Sequence, residues 1–247
     1  MEAVDLLLAA LIFVAAILYS SVGHAGASGY LAAMALFGLA PEVMKPTALV
    51  LNILVATVAS WKFWRAGAFS WSLFWPVAMV SAPLAYLGGL LSLPDVVYKP
   101  LVGAVLLYAA WRFMRGNDFS ARETSPPPFY LAMLAGAGIG FLSGLTGVGG
   151  GIFLSPLFLF FGWGKIREIS GVAALFILVN SSAGLLGVLS KDVTLPAALP
   201  WWGLVAVLGG LIGAEMGSRR MAGPRMQKVL AVVLVIAGLK MLSVLLR

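Results

Sequence analysis

Cysteine is absent from the 247 residues, and histidine occurs once, at His24. These two facts exclude disulfides, thiolate metal sites, cysteine nucleophiles and any cluster of imidazoles. Charge is scarce as well: Asp, Glu, Lys and Arg make up 10% of the chain, and nine of them are acidic. No pair of carboxylates lies within an apolar run, so the sequence offers no acid–base pair and no nucleophile–base pair. It predicts no enzyme, no metal and no cofactor. A basic stretch is missing from the start, Met1-Glu2-Ala3-Val4-Asp5, so no cleavable signal peptide is expected.

What the chain has instead is apolar surface. Hydrophobic residues make up 62%, and the charges fall between long apolar stretches. This is the pattern of a polytopic, all-α membrane protein. The net charge of +7 then reads as loop bias, and no nucleic-acid partner is expected. Trp61, Trp64, Trp71, Trp75, Trp201 and Trp202 lie near predicted span ends, where aromatic belts form.

From Phe129 to Trp163 no charge occurs. A helix needs about 20 residues to cross a bilayer, so this run is long for one span and short for two. Its middle holds Gly147-Val148-Gly149-Gly150-Gly151, where a helix breaks easily. Broken backbone inside a membrane survives only when buried in protein or lining a polar cavity.

The chain repeats itself at an offset of 124 residues. Gly23, Gly26 and Gly38 fall on Gly147, Gly150 and Gly162. Pro76, Gly89 and Pro100 fall on Pro200, Gly213 and Pro224, and Leu51–Val55 on Leu175–Val179. The halves are residues 1–111 and 129–247, joined by a polar linker, 112–128, that ends in three prolines. Each half begins with a run broken at its glycines, into Leu6–Val22 and Gly29–Leu39, or Tyr130–Thr146 and Ile152–Trp163. Three spans follow in each: Thr47–Phe63, Leu73–Leu93 and Val96–Phe113, then Ser170–Leu189, Ala197–Gly217 and Met226–Leu246.

The basic residues bear on whether the broken run crosses or turns back. If it crosses, the sixteen Lys and Arg divide eight and eight. If it is a hairpin, the halves are inverted and eleven share one side: Lys62, Arg65, Arg112, Arg115, Arg122, Lys165, Arg167, Arg219, Arg220, Arg225 and Lys228. Lys45, Lys99, Lys191, Lys240 and Arg247 fall opposite, with Glu2, Asp5, Glu42, Asp95 and Asp192. The second arrangement satisfies the positive-inside rule. Expected, then, are two inverted repeats, each a glycine-broken helical hairpin plus three transmembrane helices, with the linker cytoplasmic and both termini outside.

A helix that begins inside a membrane exposes unpaired N–H groups and the positive end of its dipole. Glycine lets an oxyanion approach those groups closely. The candidate anion site is accordingly Ala27, Ser28 and Gly29 with Gly149, Gly150 and Gly151. His24, Asn52, Thr57, Thr146, Asn180 and Ser181 would add side-chain contacts, Thr57 and Ser181 being equivalent at the offset. Each feature has a plainer reading. Small residues in membrane helices also serve packing, His24 could cap a helix end, and buried Asn, Ser and Thr also hydrogen-bond between helices or back to their own helix. Glu215, near Arg219 and Arg220, reads as a cytoplasmic ion-pair partner.

Gly144-Leu145-Thr146-Gly147-Val148-Gly149-Gly150-Gly151, followed by Ser155-Pro156-Leu157, resembles the signature of the TauE/SafE sulfite-exporter family. A weaker echo lies at Ser21–Tyr30, where His24, Ala25, Ala27 and Ser28 interrupt the glycines and Ala32 stands in place of the proline matching Pro156. The resemblance covers about Leu6 to Leu246. It implies a permease of the bacterial inner membrane that moves sulfite, organosulfonates or related small anions. A channel, a carrier of another small anion or carboxylate, and a non-transporting scaffold are the alternative readings. Exact substrate, direction, coupling ion and oligomeric state are left open by the sequence.

Overall fold

A computed structural model describes residues 3–115, 124–191, 193–219 and 224–246. Among them every regular element is helical: α1 (Ala3–Ser20), α2 (Ala27–Leu36), α3 (Pro41–Arg65), α4 (Trp71–Leu90), α5 (Asp95–Arg115), α6 (Phe129–Thr146), α7 (Gly151–Phe161), α8 (Ile166–Val188), α9 (Leu199–Arg219) and α10 (Pro224–Leu242), with a 3₁₀ turn over Ser243–Leu246. Five helices are long and apolar enough to cross a membrane: α3, α4, α6, α8 and, over Leu199–Ser218, α9. The expected spans at α5 and α10 form as helices of 21 and 19 residues, but they fall outside that set of five. Eight residues of the expected linker, 116–123, lie outside the described residues. Residues 124–128 lead into α6, and the Ser125 N–H donates to the Gly162 carbonyl (2.9 Å).

Local chemistry sets the helix ends. α3 starts with Pro41 in its first turn, where the missing N–H costs nothing, and Glu42 complements the positive end of the dipole. Lys62 and Arg65 occupy its last turn, and Gly67 takes a left-handed φ of 66° just beyond. The glycines matched at the 124 offset share left-handed backbone angles. Gly23 and Gly147 have φ of 77° and 83°, Gly26 and Gly150 have 115° and 83°, and Gly38 and Gly162 have 75° and 67°. The helices that follow the two breaks start at Ala27 and Gly151, at the same offset.

The halves interlock through glycine stripes. Gly136, Gly140 and Gly144 of α6 face Val77, Ser81 and Ala85 of α4 in turn, and a methyl group on any of the three would collide with the facing carbonyl oxygen. Gly209, Gly213 and Gly217 of α9 face Phe13 and Ile17 of α1 and Ser21 just beyond it in the same way. Such stripes let backbones approach where no hydrophobic force separates helix from lipid. Each register rises together, so α6 runs with α4 and α9 with α1. The central pair, α3 and α8, runs oppositely: Asn52 meets Ser181, while Ala59 clusters with Ala174 and Ala214. α5 and α10 also oppose, Gly103 meeting Gly238 and Met241, and Gly238 meeting Leu107. The start of α2 lies against α1, with Ser28 beside Tyr19 and Gly29 beside Ala15.

Trp61, Trp64, Trp71, Trp75 and Trp201 are exposed at helix ends, as an aromatic belt requires. Trp202 departs from that expectation and is buried in the core. The Glu215 carboxylate meets Lys62 of the other half at 2.5 Å.

Candidate functional site: two broken helices

The first break is a Schellman turn. His24 N–H donates to the Tyr19 carbonyl (2.9 Å), Gly23 N–H donates to that of Ser20 (3.1 Å), and Gly23 takes the left-handed angle the turn needs. The chain then enters α2 through Gly26, with no side-chain cap. The second break follows Thr146: Gly147 closes α6 by donating to Ser143 (2.8 Å), and α7 starts from Gly150, again without a side-chain cap. Gly147, Gly149 and Gly150 all have φ of 83°, a region that side-chain-bearing residues rarely occupy. Both helices therefore begin with first-turn N–H groups that have no intrahelical partner.

The two breaks touch. His24 Nδ1 lies 3.1 Å from the Val22 carbonyl, and its Cδ2 stands 3.3 Å from where a Cβ on Gly151 would be. Around the second break lie Asn52 of α3 and Ser181 of α8. Asn52 Nδ2 donates to Ser181 Oγ at 3.2 Å, and a Cβ on Gly149 would fall 2.7 Å from that Nδ2 and 3.1 Å from that Oγ. Ser143 lies beside Gly150. All these side chains are buried, yet among the described residues Asn52 Oδ1 and Ser143 Oγ find no hydrogen-bond partner. Unsatisfied buried polar atoms are uncommon and costly, and here they gather beside bare amides.

Of the sequence-predicted residues, the structure brings together His24, Asn52, Gly149, Gly150, Gly151 and Ser181. Ala27, Ser28 and Gly29 form the buried start of α2, where the Ser28 hydroxyl donates to Tyr19 Oη (2.5 Å). Thr146 bonds back to the Leu142 carbonyl (2.7 Å), and its Oγ1 accepts from Val148 N–H (3.4 Å). Asn180 accepts from Ser81 of α4 (2.5 Å) and keeps an unpartnered Nδ2. Thr57 is set apart: it is exposed, its hydroxyl donates to the Ile53 carbonyl (2.7 Å), and it lines an aromatic pocket with Trp61 and Trp64.

Sequence reasoning missed Lys45. It is 8% exposed and sits in the second turn of α3, where its ammonium donates to the carbonyls of Gly88 (3.2 Å), Gly89 (3.2 Å) and Leu91 (3.0 Å) at the end of α4. A buried charge needs such compensation, and a helix C-terminus attracts cations. Lys45, Lys191, Glu42, Ser92 and Tyr98 line a cavity of about 120 Å³. Lys191 donates to Ser92 (2.9 Å), and Tyr98 donates to the Thr146 carbonyl (3.0 Å), one residue before the second break. A pocket with two ammonium groups thus abuts the glycines.

A model of the family described as Sulfite exporter TauE/SafE matches residues 8–241. A protein of Sinorhizobium fredii described as a probable membrane transporter is 41% identical over 245 residues, covering 98% of both chains. No solved structure matches the chain.

Proposed function

Because the chain belongs to the TauE/SafE sulfite exporter family of membrane transporters, we propose that it is a secondary permease for a small sulfur-containing oxyanion, sulfite or an organosulfonate. The anion sits where the two breaks meet, held by the N–H groups that open α2 and α7. Gly149, Gly150 and Gly151 form one side, and Ala27, Ser28 and Gly29 the other. His24, Asn52 and Ser181 complete the shell, with Thr146 and Asn180 supporting the second break from behind.

One observation carries this reading. The uncapped start of α7 lies among a histidine from the other break, a cross-half Asn–Ser pair and two orphaned polar atoms. Helix N-termini favour anions through aligned amides and dipole. No bulky basic group need be buried beside the ligand, so a small anion can be released as readily as it is bound.

The halves are inverted repeats in this proposal. Support comes from helix directions: α1 and α9 run together, as do α4 and α6, while α3 and α8 oppose. The charges agree with a cytoplasmic linker and outside termini in a bacterial inner membrane. Lys62, Arg65, Arg112, Arg115, Lys165 and Arg167 then share the cytoplasmic side. The lysine-lined cavity becomes the external mouth, whose field concentrates anions. Access alternates by rocking one half against the other around the fixed site.

The test is uptake of labelled sulfite, taurine and a carboxylate control by proteoliposomes. Counterflow driven by internal unlabelled anion is expected for sulfite or taurine. Flux without counterflow would replace the carrier with a channel, and inert vesicles holding folded protein would leave a scaffold.

A further inference from the structure

We propose that a groove between α5, α6 and α7 binds an anionic phospholipid, its acyl chain in the groove and its phosphate on Arg112 and Arg115. The groove has a volume of about 790 Å³. Leu134, Leu142, Phe153 and Leu157 line it, and Gly138 faces open space: among the described residues nothing beyond its own helix backbone comes within 4 Å of where its Cβ would be. From Leu134 to Leu142 the α6 wall rises about 12 Å, at ~1.5 Å per residue. Both arginines lie in the last turn of α5, at the end nearest the linker. Arg115 lies over the Trp111 ring, 4.6 Å from its centroid.

The second half departs here from the first. α2 is packed against α10, whereas the matching face of α7 is left partly uncovered by α5. The residues explain it. At the 124 offset, Phe153, Pro156 and Leu157 replace Gly29, Ala32 and Ala33. Gly29 faces α1, and the small Ala32 and Ala33 leave room for α10 on α2, while the bulky set holds α5 off α7. Arg112 and Arg115 match Ile236 and Leu239, so the paired charge exists only where the gap exists. A dry apolar gap forfeits contact energy, and inside a bilayer the available filler is a lipid chain. A hydrated small anion does not suit walls of leucine and phenylalanine. Guanidinium groups at one end suit a phosphodiester, which they bind through paired N–H donors.

Protein purified in mild detergent is melted after addition of phosphatidylglycerol or phosphatidylcholine, and native mass spectrometry records the lipid retained. Wild type is expected to keep phosphatidylglycerol and to gain Tm selectively with it. The double variant Arg112→Gln/Arg115→Gln should respond alike to both lipids. Gly138→Leu, which fills the groove without touching the arginines, should lose retained lipid of either kind while still folding. Equal responses in wild type, or an unchanged preference in the double variant, would overturn the proposal. So would displacement of the lipid by sulfite, which would make the groove a substrate route.

Discussion

Asn52 and Ser181, from opposite halves of the chain, share a hydrogen bond of 3.2 Å directly beside Gly149. It joins α3 to α8, and among the described residues Asn52 Oδ1 has no partner. A ligand-binding pair and a merely structural pair predict different behaviour. Replacing either residue by Ala should cost roughly 1 kcal/mol of stability, and the double variant less than the sum. Uptake should fall much further than stability, with KM rising in Asn52→Ala. A thermal-melt double-mutant cycle beside transport kinetics checks this; loss of uptake only in proportion to stability would make the pair structural.

Gly149→Ala tests the second break itself. The left-handed angle costs a side-chain-bearing residue about 1–2 kcal/mol, and the new methyl presses on Asn52 and Ser181. Uptake is expected to drop about tenfold or more, where tenfold corresponds to ~1.4 kcal/mol in the barrier. Size-exclusion profiles should stay monodisperse. Normal uptake by a folded Gly149→Ala protein would remove the amides of this break from the binding site.

At His24 the comparison is between Gln and Leu. Gln keeps a donor near Gly151, whereas Leu keeps only bulk. Selective thermal stabilisation by sulfite should survive in His24→Gln and disappear in His24→Leu. If both variants respond like wild type, the imidazole is a cap on the first break and takes no part in binding.

Lys45→Met removes the ammonium from three carbonyls at the end of α4, one of which, that of Gly88, still accepts from Leu91 N–H (3.3 Å). Loss of a buried, charge-assisted contact of this kind costs about 2 kcal/mol or more. A Tm lowered by several degrees in detergent is expected. Lys191→Met, at the exposed lip of the same cavity, should leave Tm nearly unchanged and reduce uptake mainly at low ionic strength, because a surface field is screened by salt.

Gly140→Leu should prevent assembly of α6 on α4, since any side chain there meets the Ser81 backbone. Gly138→Leu, two residues before Gly140 and facing open space, is its control. Yield of folded protein from membranes separates the two.

Element positions were legible because charge and glycine punctuate an otherwise apolar chain. The breaks at Gly23–Gly26 and Gly147–Gly150 fall where the run length and glycine cluster require. Thr57 and Ser181 are equivalent at the 124 offset but sit differently. The counterpart of the Asn52–Ser181 contact at that offset falls on Phe176 and Thr57, so the polar contact exists once. Phe176 packs beside Gly150, and Thr57 turns its hydroxyl onto its own helix. Lys45 was invisible because its partners are backbone carbonyls 43 to 46 residues away. The stripes at Gly136, Gly140, Gly144 and at Gly209, Gly213, Gly217 carried a readable four-residue spacing; only their target across the halves was not encoded locally.

Those stripes bear on how the protein is made. α4 leaves the ribosome well before α6, the helix whose glycines it receives, and α1 waits longer still for α9. During synthesis the early helices sit in the bilayer with their close-approach faces against lipid, and neither half reaches its final packing alone. The two halves supplied as separate polypeptides should recover stability only when produced together in the same membrane, and the last helices to be inserted set the moment at which the whole molecule locks.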